Sequence, residues 1–161
     1  MSSVKITNFR HGRAPGQHRI GARIGGSGDF RRLSLMCSIL LVEDHQDTQR
    51  AFASILRSWG HEVAASDSAA RGLEFLGKNE VDVILSDIGL PDQNGYDFIA
   101  EVRRQNSEVT AIAVSAYFTA ADQERAHEAG FDMHFSKPVD LLSLRRALER
   151  INSAVVRHAD A

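Results

Sequence analysis

From Cys37 onward, short apolar runs alternate with longer amphipathic ones. Ser38-Ile39-Leu40-Leu41-Val42 is apolar without interruption after its first residue, the pattern of a strand buried on both faces. Residues 47–59 then place Phe52, Ile55, Leu56 and Trp59 at helical spacing, and Gly60 closes the helix. Residues 62–65 form a weak second strand. Ser68 is positioned to cap a helix with Ala69, Leu73 and Leu76 on its apolar face, ending at Gly77. A third strand is predicted over 81–86, followed by the turn residues Leu90-Pro91-Asp92-Gln93-Asn94-Gly95 and a helix over 96–104. Residues 111–114 read as the fourth strand and 120–129 as a polar, alanine-rich helix stopped by Gly130. A short fifth strand, Met133-His134-Phe135, and a last helix over 139–151 complete the pattern.

Five strands alternating with five helices predict an α/β fold, a doubly wound five-stranded parallel sheet covered on both faces. Sheets of this kind bind ligands outside the carboxyl ends of their strands. The residues just after each strand are therefore where chemistry is expected.

Composition adds little to this and charge adds more. The chain of 161 residues is 43% apolar and 25% charged, enough for one domain with a sizeable core. Its single cysteine, Cys37, has no internal partner for a disulfide, and no apolar run approaches the length of a membrane span. The amino terminus is basic but lacks the apolar stretch of a secretory signal, so a cytoplasmic location and no membrane partner are expected. The formal net charge of −2 divides unevenly: residues 1–36 carry seven basic residues against Asp29, a formal +6, which leaves −8 for the rest. That segregation, with Gly and Ser enrichment and no sustained period, predicts a disordered basic tail over 1–35, a folded domain over 36–152 and a carboxyl-terminal tail over 153–161. Met36, immediately before the first strand, is an alternative start of translation. A basic arm of this kind can touch nucleic acid, but an ordinary solvated tail is the simpler reading.

The strand ends carry a recurring chemistry. The first strand ends in Glu43-Asp44, the third in Asp87, the fourth in Ser115 and the fifth in Lys137. Taken singly, each has an ordinary explanation as a helix cap, a turn residue or a surface charge. Together they would gather at one edge of a parallel sheet. Three converging carboxylates repel, and a hard divalent cation with oxygen ligands resolves the conflict; Mg²⁺ suits a site that keeps waters and meets phosphate. The lysine and the hydroxyl then serve as donors to a phosphoryl group.

The segments Ile39-Leu-Leu-Val-Glu-Asp44, Val83-Ile-Leu-Ser-Asp-Ile-Gly-Leu-Pro-Asp92, Asn94-Gly95, Val114-Ser-Ala116 and Ser136-Lys-Pro138 resemble the signature of the response-regulator receiver family (CheY-like) of two-component systems. The resemblance covers residues 37 to about 152. It implies a flavodoxin-like sheet of order 2-1-3-4-5, with a Lys137–Pro138 bond that is commonly cis in the family. It implies that Glu43 and Asp44 hold Mg²⁺, directly or through water, and that Asp87 is the phosphoacceptor. The backbone carbonyl of Gly89 would complete the metal shell, Ser115 would be the switch hydroxyl and Lys137 the phosphate-binding lysine. The chain departs from the family at the usual aromatic of the fifth strand, here His134, read either as a core histidine or as a rotamer switch in the aromatic's place. The stretch Phe131-Asp132-Met133-His134 and the Lys-Pro-Val-Asp that follows are similar to receivers of hybrid histidine kinases.

The resemblance implies a phosphoacceptor switch that assists its own Mg²⁺-dependent phosphorylation and dephosphorylation, not an enzyme with a turnover substrate. Its expected partners are a sensor histidine kinase or histidine phosphotransfer protein and a downstream protein target. No nucleic-acid partner is expected, and the chain is expected to be a monomer or a weak, phosphorylation-dependent dimer. After Ile151 ten residues remain, too few for a DNA-binding module, so a stand-alone receiver is the expectation. A phosphotransferase of haloacid-dehalogenase type would also place an Asp at a strand end, but needs a second Asp two residues on, where Gly89 stands. A degenerate receiver serving as a pure interaction module would be missing part of the phosphorylation set, which is complete here.

Overall fold

The computed structural model describes residues 7–8, 36–105, 108–116 and 119–159. The strands are β1 (Thr7–Asn8), β2 (Ser38–Val42), β3 (Glu62–Ser66), β4 (Val83–Asp87), β5 (Thr110–Ser115) and β6 (Met133–Ser136). The helices are α1 (Gln46–Ser58), α2 (Ala69–Leu76), α3 (Gly95–Gln105), α4 (Ala120–Ala129) and α5 (Leu141–Ala159).

The uninterrupted apolar run of β2 is explained by its two neighbours. Leu40 and Val42 point into one core with Ile84, Phe98, Ile99, Val102 and Phe131, while Ile39 and Leu41 point into the other with Leu56, Leu85, Ile112, Leu144 and Leu148. Helices α2, α3 and α4 thus cover one face of the sheet, and α1 and α5 the other. Local chemistry agrees with this packing at the helix ends. Thr119 and Asp122 form a reciprocal capping box at the start of α4, and Gly130 ends it with a φ of 103° that L side chains rarely adopt.

Five strands are parallel in the order β3-β2-β4-β5-β6, the predicted 2-1-3-4-5 arrangement. The register aligns Val42 with Ser66 and Ser86, Asp87 with Val114, and Ser115 with Ser136. The carboxyl ends of β2, β4, β5 and β6 therefore open onto one edge of the sheet.

Three boundaries differ from the sequence reading. The third strand of the pattern, β4, extends through Asp87 because Asp87 still pairs with Val114, so the acidic side chain leaves from the strand itself. The last helix continues to Ala159, through residues read as a tail. Asn152, which looks like a polar end in sequence, is 3% exposed and lies within the helix. At the other end, Thr7 and Asn8 pair antiparallel with His134 and Met133, adding a sixth strand to the five expected. A two-residue strand has no period to read. The disorder expected for the rest of 1–35 falls on residues outside those described. No described helix is long and apolar enough to cross a membrane.

Candidate functional site

Beyond β2, the backbone N–H of Glu43 donates to the Ser66 carbonyl (3.0 Å), so the β2–β3 pairing extends into the acidic pair. Gln49, in the second turn of α1, donates its amide hydrogens to the carbonyls of Glu43 (2.7 Å) and Ser66 (2.9 Å). Glu43 is consequently buried, at 5% exposure, while Asp44 beside it is exposed. Asp87 leaves from the last position of β4, and Lys137 follows β6 directly. The Lys137 ammonium donates to Asp87 Oδ2 at 2.7 Å and to Glu43 Oε2 at 2.9 Å. The Lys137–Pro138 bond is cis. Burial pulls the Lys137 pKa down, but the hydrogen bonds and charges of Asp87 and Glu43 outweigh it and hold the ammonium above the usual lysine range.

Carboxylate oxygens of Glu43, Asp44 and Asp87 lie within 4.8 Å of one another. With Lys137 counted, three carboxylates and one ammonium leave a formal charge of about minus two, which a divalent cation would balance. These donors are all oxygen, with a half-buried to exposed rim, a set that fits a hard cation such as Mg²⁺. Gly89 N–H donates to Asp87 Oδ1 at 3.2 Å, so the backbone two residues past Asp87 folds back toward its carboxylate. On the neighbouring strand ends, the Ser115 hydroxyl and His134 Nε2 are 2.9 Å apart, both residues buried. Thus Glu43, Asp44, Asp87, Gly89, Ser115 and Lys137 share one edge of the sheet, and His134 reaches that edge through Ser115.

A family model described as the response regulator receiver domain matches residues 39–149. The chain belongs to that family. It is 33% identical to the sensor histidine kinase RcsC of Salmonella typhi over 110 residues, covering 68% of this chain but 12% of RcsC. It is 35% identical over 124 residues to the KDP operon transcriptional regulatory protein KdpE of Escherichia coli, covering 77% of this chain and 53% of KdpE. This chain therefore spans a small part of the length of its sensor-kinase relatives. Among solved structures it resembles a CheY-like receiver from Methanospirillum hungatei (TM-score 0.71, 24% identity, 76% of this chain and 98% of that one). It also resembles the receiver domain of a sensor histidine kinase from Pseudomonas aeruginosa, with a magnesium ion coordinated in its active-site cleft (TM-score 0.67, 31% identity, 72% of this chain and 97% of that one). This is a receiver domain of two-component signalling.

Two features of this receiver escape sequence reading. Gln49 carries no motif, since its role depends on β3 lying beside β2. The Ser115–His134 contact joins residues 19 positions apart. The sequence leaves His134 as either a core histidine or a rotamer switch, and the ring lies inward, at 0% exposure. Burial lowers its pKa from the ordinary histidine value, against the opposing pull of Asp122, and His61, 7% exposed, is lowered chiefly by burial too. Both rings take up a proton more readily in the unfolded chain. Stability conferred by the neutral rings is therefore present above about pH 6.5 and is lost as pH falls below it. His134→Phe is expected to flatten that decline and His134→Phe/His61→Phe to flatten it further, as measured by urea melts between about pH 5 and 7.5.

Proposed function

We propose that this receiver takes a phosphoryl group on Asp87 from a sensor histidine kinase or a histidine phosphotransfer protein, and signals through phosphorylation-dependent contacts with a downstream protein. The observation that carries this reading is the Lys137 ammonium 2.7 Å from the Asp87 carboxylate, inside a cluster of three acids. An Asp87 carboxylate oxygen attacks phosphorus; the new O–P bond forms as the P–N bond to the donor imidazole breaks, and the imidazole leaves. Lys137, bonded to the nucleophile, would also meet the phosphoryl oxygens where charge accumulates. Glu43, Asp44, Asp87 and the Gly89 carbonyl would hold Mg²⁺, as the magnesium-bound relative supports. When bound, the ion neutralises phosphoryl charge and orients the donor. Ser115 exchanges its histidine partner for a phosphoryl oxygen, freeing His134 and altering the surface formed by α4, β6 and α5. The acyl phosphate is labile, and water attacking phosphorus at the same site resets the switch. Its proposed place of action is the cytoplasm.

Acetyl phosphate or phosphoramidate with Mg²⁺ is expected to add one phosphate, read by intact mass, and chelation of the metal to prevent it. Labelling that persists unchanged in excess chelator would defeat the reading. Asp44→Ala removes one oxygen ligand and one charge, and is expected to weaken Mg²⁺ binding by about 10-fold or more while leaving the metal-free fold as stable as before. Calorimetry is the suitable measurement. Trp59 follows the far end of the 13-residue α1, about 20 Å along the helix from the acidic pair that precedes it.

A further inference from the structure

Asp87 is followed by a loop, residues 88–94, that returns to the sheet edge where α3 begins at Gly95. The base of this loop is tightly closed. Gly95 N–H donates to the Ile88 carbonyl at 2.9 Å, and a Cβ on Gly95 would lie 2.5 Å from the Asp87 carbonyl oxygen. Near the metal cluster the loop is looser. Gly89 is exposed, and a Cβ built there meets nothing within 4 Å, so no neighbour packs against the most permissive residue of the loop. Its position depends on its own N–H bond to Asp87 Oδ1 and on what anchors the residues that follow.

Leu90 is one anchor, 9% exposed in the core. Asp92 is the other. Its Oδ1 accepts the backbone N–H of Ala69 at 3.0 Å and its Oδ2 that of Ala70 at 2.8 Å. These are the first two residues of α2, whose amides have no partner within their own helix. The helix has its own cap, Ser68, but that hydroxyl accepts from the next amide along, Arg71, at 3.5 Å. A carboxylate 22 and 23 residues away thus does the capping that local sequence leaves undone, in the favourable field of the helix amino terminus.

We propose that Asp92 is a positioning residue for the metal: its two-pronged clamp on α2 fixes the loop that carries Gly89 beside Asp87, and the Gly89 carbonyl would join Glu43, Asp44 and Asp87 as a ligand. The inference rests on the proposed reading of those groups as the Mg²⁺ ligands. The clamp turns a capping interaction into a link between the ligand loop and a helix on the sheet.

The test separates positioning from simple helix stabilisation. Mg²⁺ affinity is measured by calorimetry, and stability by metal-free melts, for wild type, Asp92→Ala, Asp92→Asn, Ser68→Ala and Asp44→Ala. Asp92→Ala is expected to weaken Mg²⁺ binding about 10-fold, the scale of losing a partner that orients a ligand. Asp92→Asn keeps one acceptor oxygen and is expected to fall between Asp92→Ala and wild type. Ser68→Ala removes a cap from the same helix without touching the loop, and is expected to lower the melting temperature while leaving Mg²⁺ affinity unchanged. Wild-type affinity in Asp92→Ala, or an equal loss of affinity in Ser68→Ala, would overturn the assignment. Wild-type affinity in Asp44→Ala would instead overturn the metal reading beneath it.

Discussion

Asp87→Asn is expected to reduce phosphorylation by small phosphodonors at least about 10³-fold, to the background of the assay. The amide is the same size as the carboxylate and keeps one acceptor oxygen for Lys137 while giving up the one that takes the Gly89 N–H, so the fold is retained at the cost of one loop hydrogen bond. What is lost is the negative charge that makes the oxygen a nucleophile. The sheet edge holds other carboxylates, Glu43 and Asp44, and they set the stringency of the test. Glu43 has both oxygens occupied, by His45 N–H at 3.2 Å and by Lys137 at 2.9 Å, and it is buried. Asp44 is exposed, and the Lys137 ammonium pairs with Glu43 and Asp87 instead of with it. Intact-mass spectrometry after treatment with phosphoramidate and Mg²⁺ distinguishes the outcomes. Retention of a full phosphate in the variant would move the acceptor to one of these neighbours.

Lys137→Met is expected to act twice. Phosphorylation should slow by about 10²–10³-fold, the usual cost of removing one donor from a site where charge develops. The metal-free domain should also lose about 2 kcal/mol, since two charge-assisted hydrogen bonds at a partly buried position vanish and leave Asp87 and Glu43 facing each other. Because the Lys137 pKa is raised by folding, that contribution is complete below the unfolded lysine value of about 10.4 and fades only as pH rises through the higher folded value. Mg²⁺ should recover more stability in the variant than in wild type, because it replaces the missing positive charge. Urea melts with and without Mg²⁺ at neutral and alkaline pH measure both effects. Equal metal-free stability in the two proteins would show that the lysine contributes nothing to holding the acids together.

Sequence reading carried the architecture because both of its signals are local. The apolar run 38–42 and the helical spacing of Phe52, Ile55 and Leu56 each follow from burial on one element, and the alternation of such elements leaves few topologies. The placement of Glu43, Asp44, Asp87, Ser115 and Lys137 at one sheet edge was legible for the same reason, since each stands at the end of a strand. What stayed hidden depends on distant backbone. Asp92 reads as a turn residue until α2 is seen beside it, and the strand Thr7–Asn8 exists only through its pairing with β6. The extension of the last helix was missed because Asn152 looks like a terminus, although its side chain is buried.

The contact between Ser115 and His134 sets the gain of the proposed switch. Where the hydroxyl donates to Nε2, its single hydrogen cannot also serve a phosphoryl oxygen, so phosphorylation would exchange one hydrogen bond for another. A neutral bond contributes about 1 kcal/mol and one to a charged acceptor about 2, so the exchange favours the new arrangement by about 1 kcal/mol. That difference is worth a population ratio of about fivefold. Phosphate alone would therefore tilt this receiver rather than commit it, and the binding energy of the downstream partner would supply the remainder of the transition.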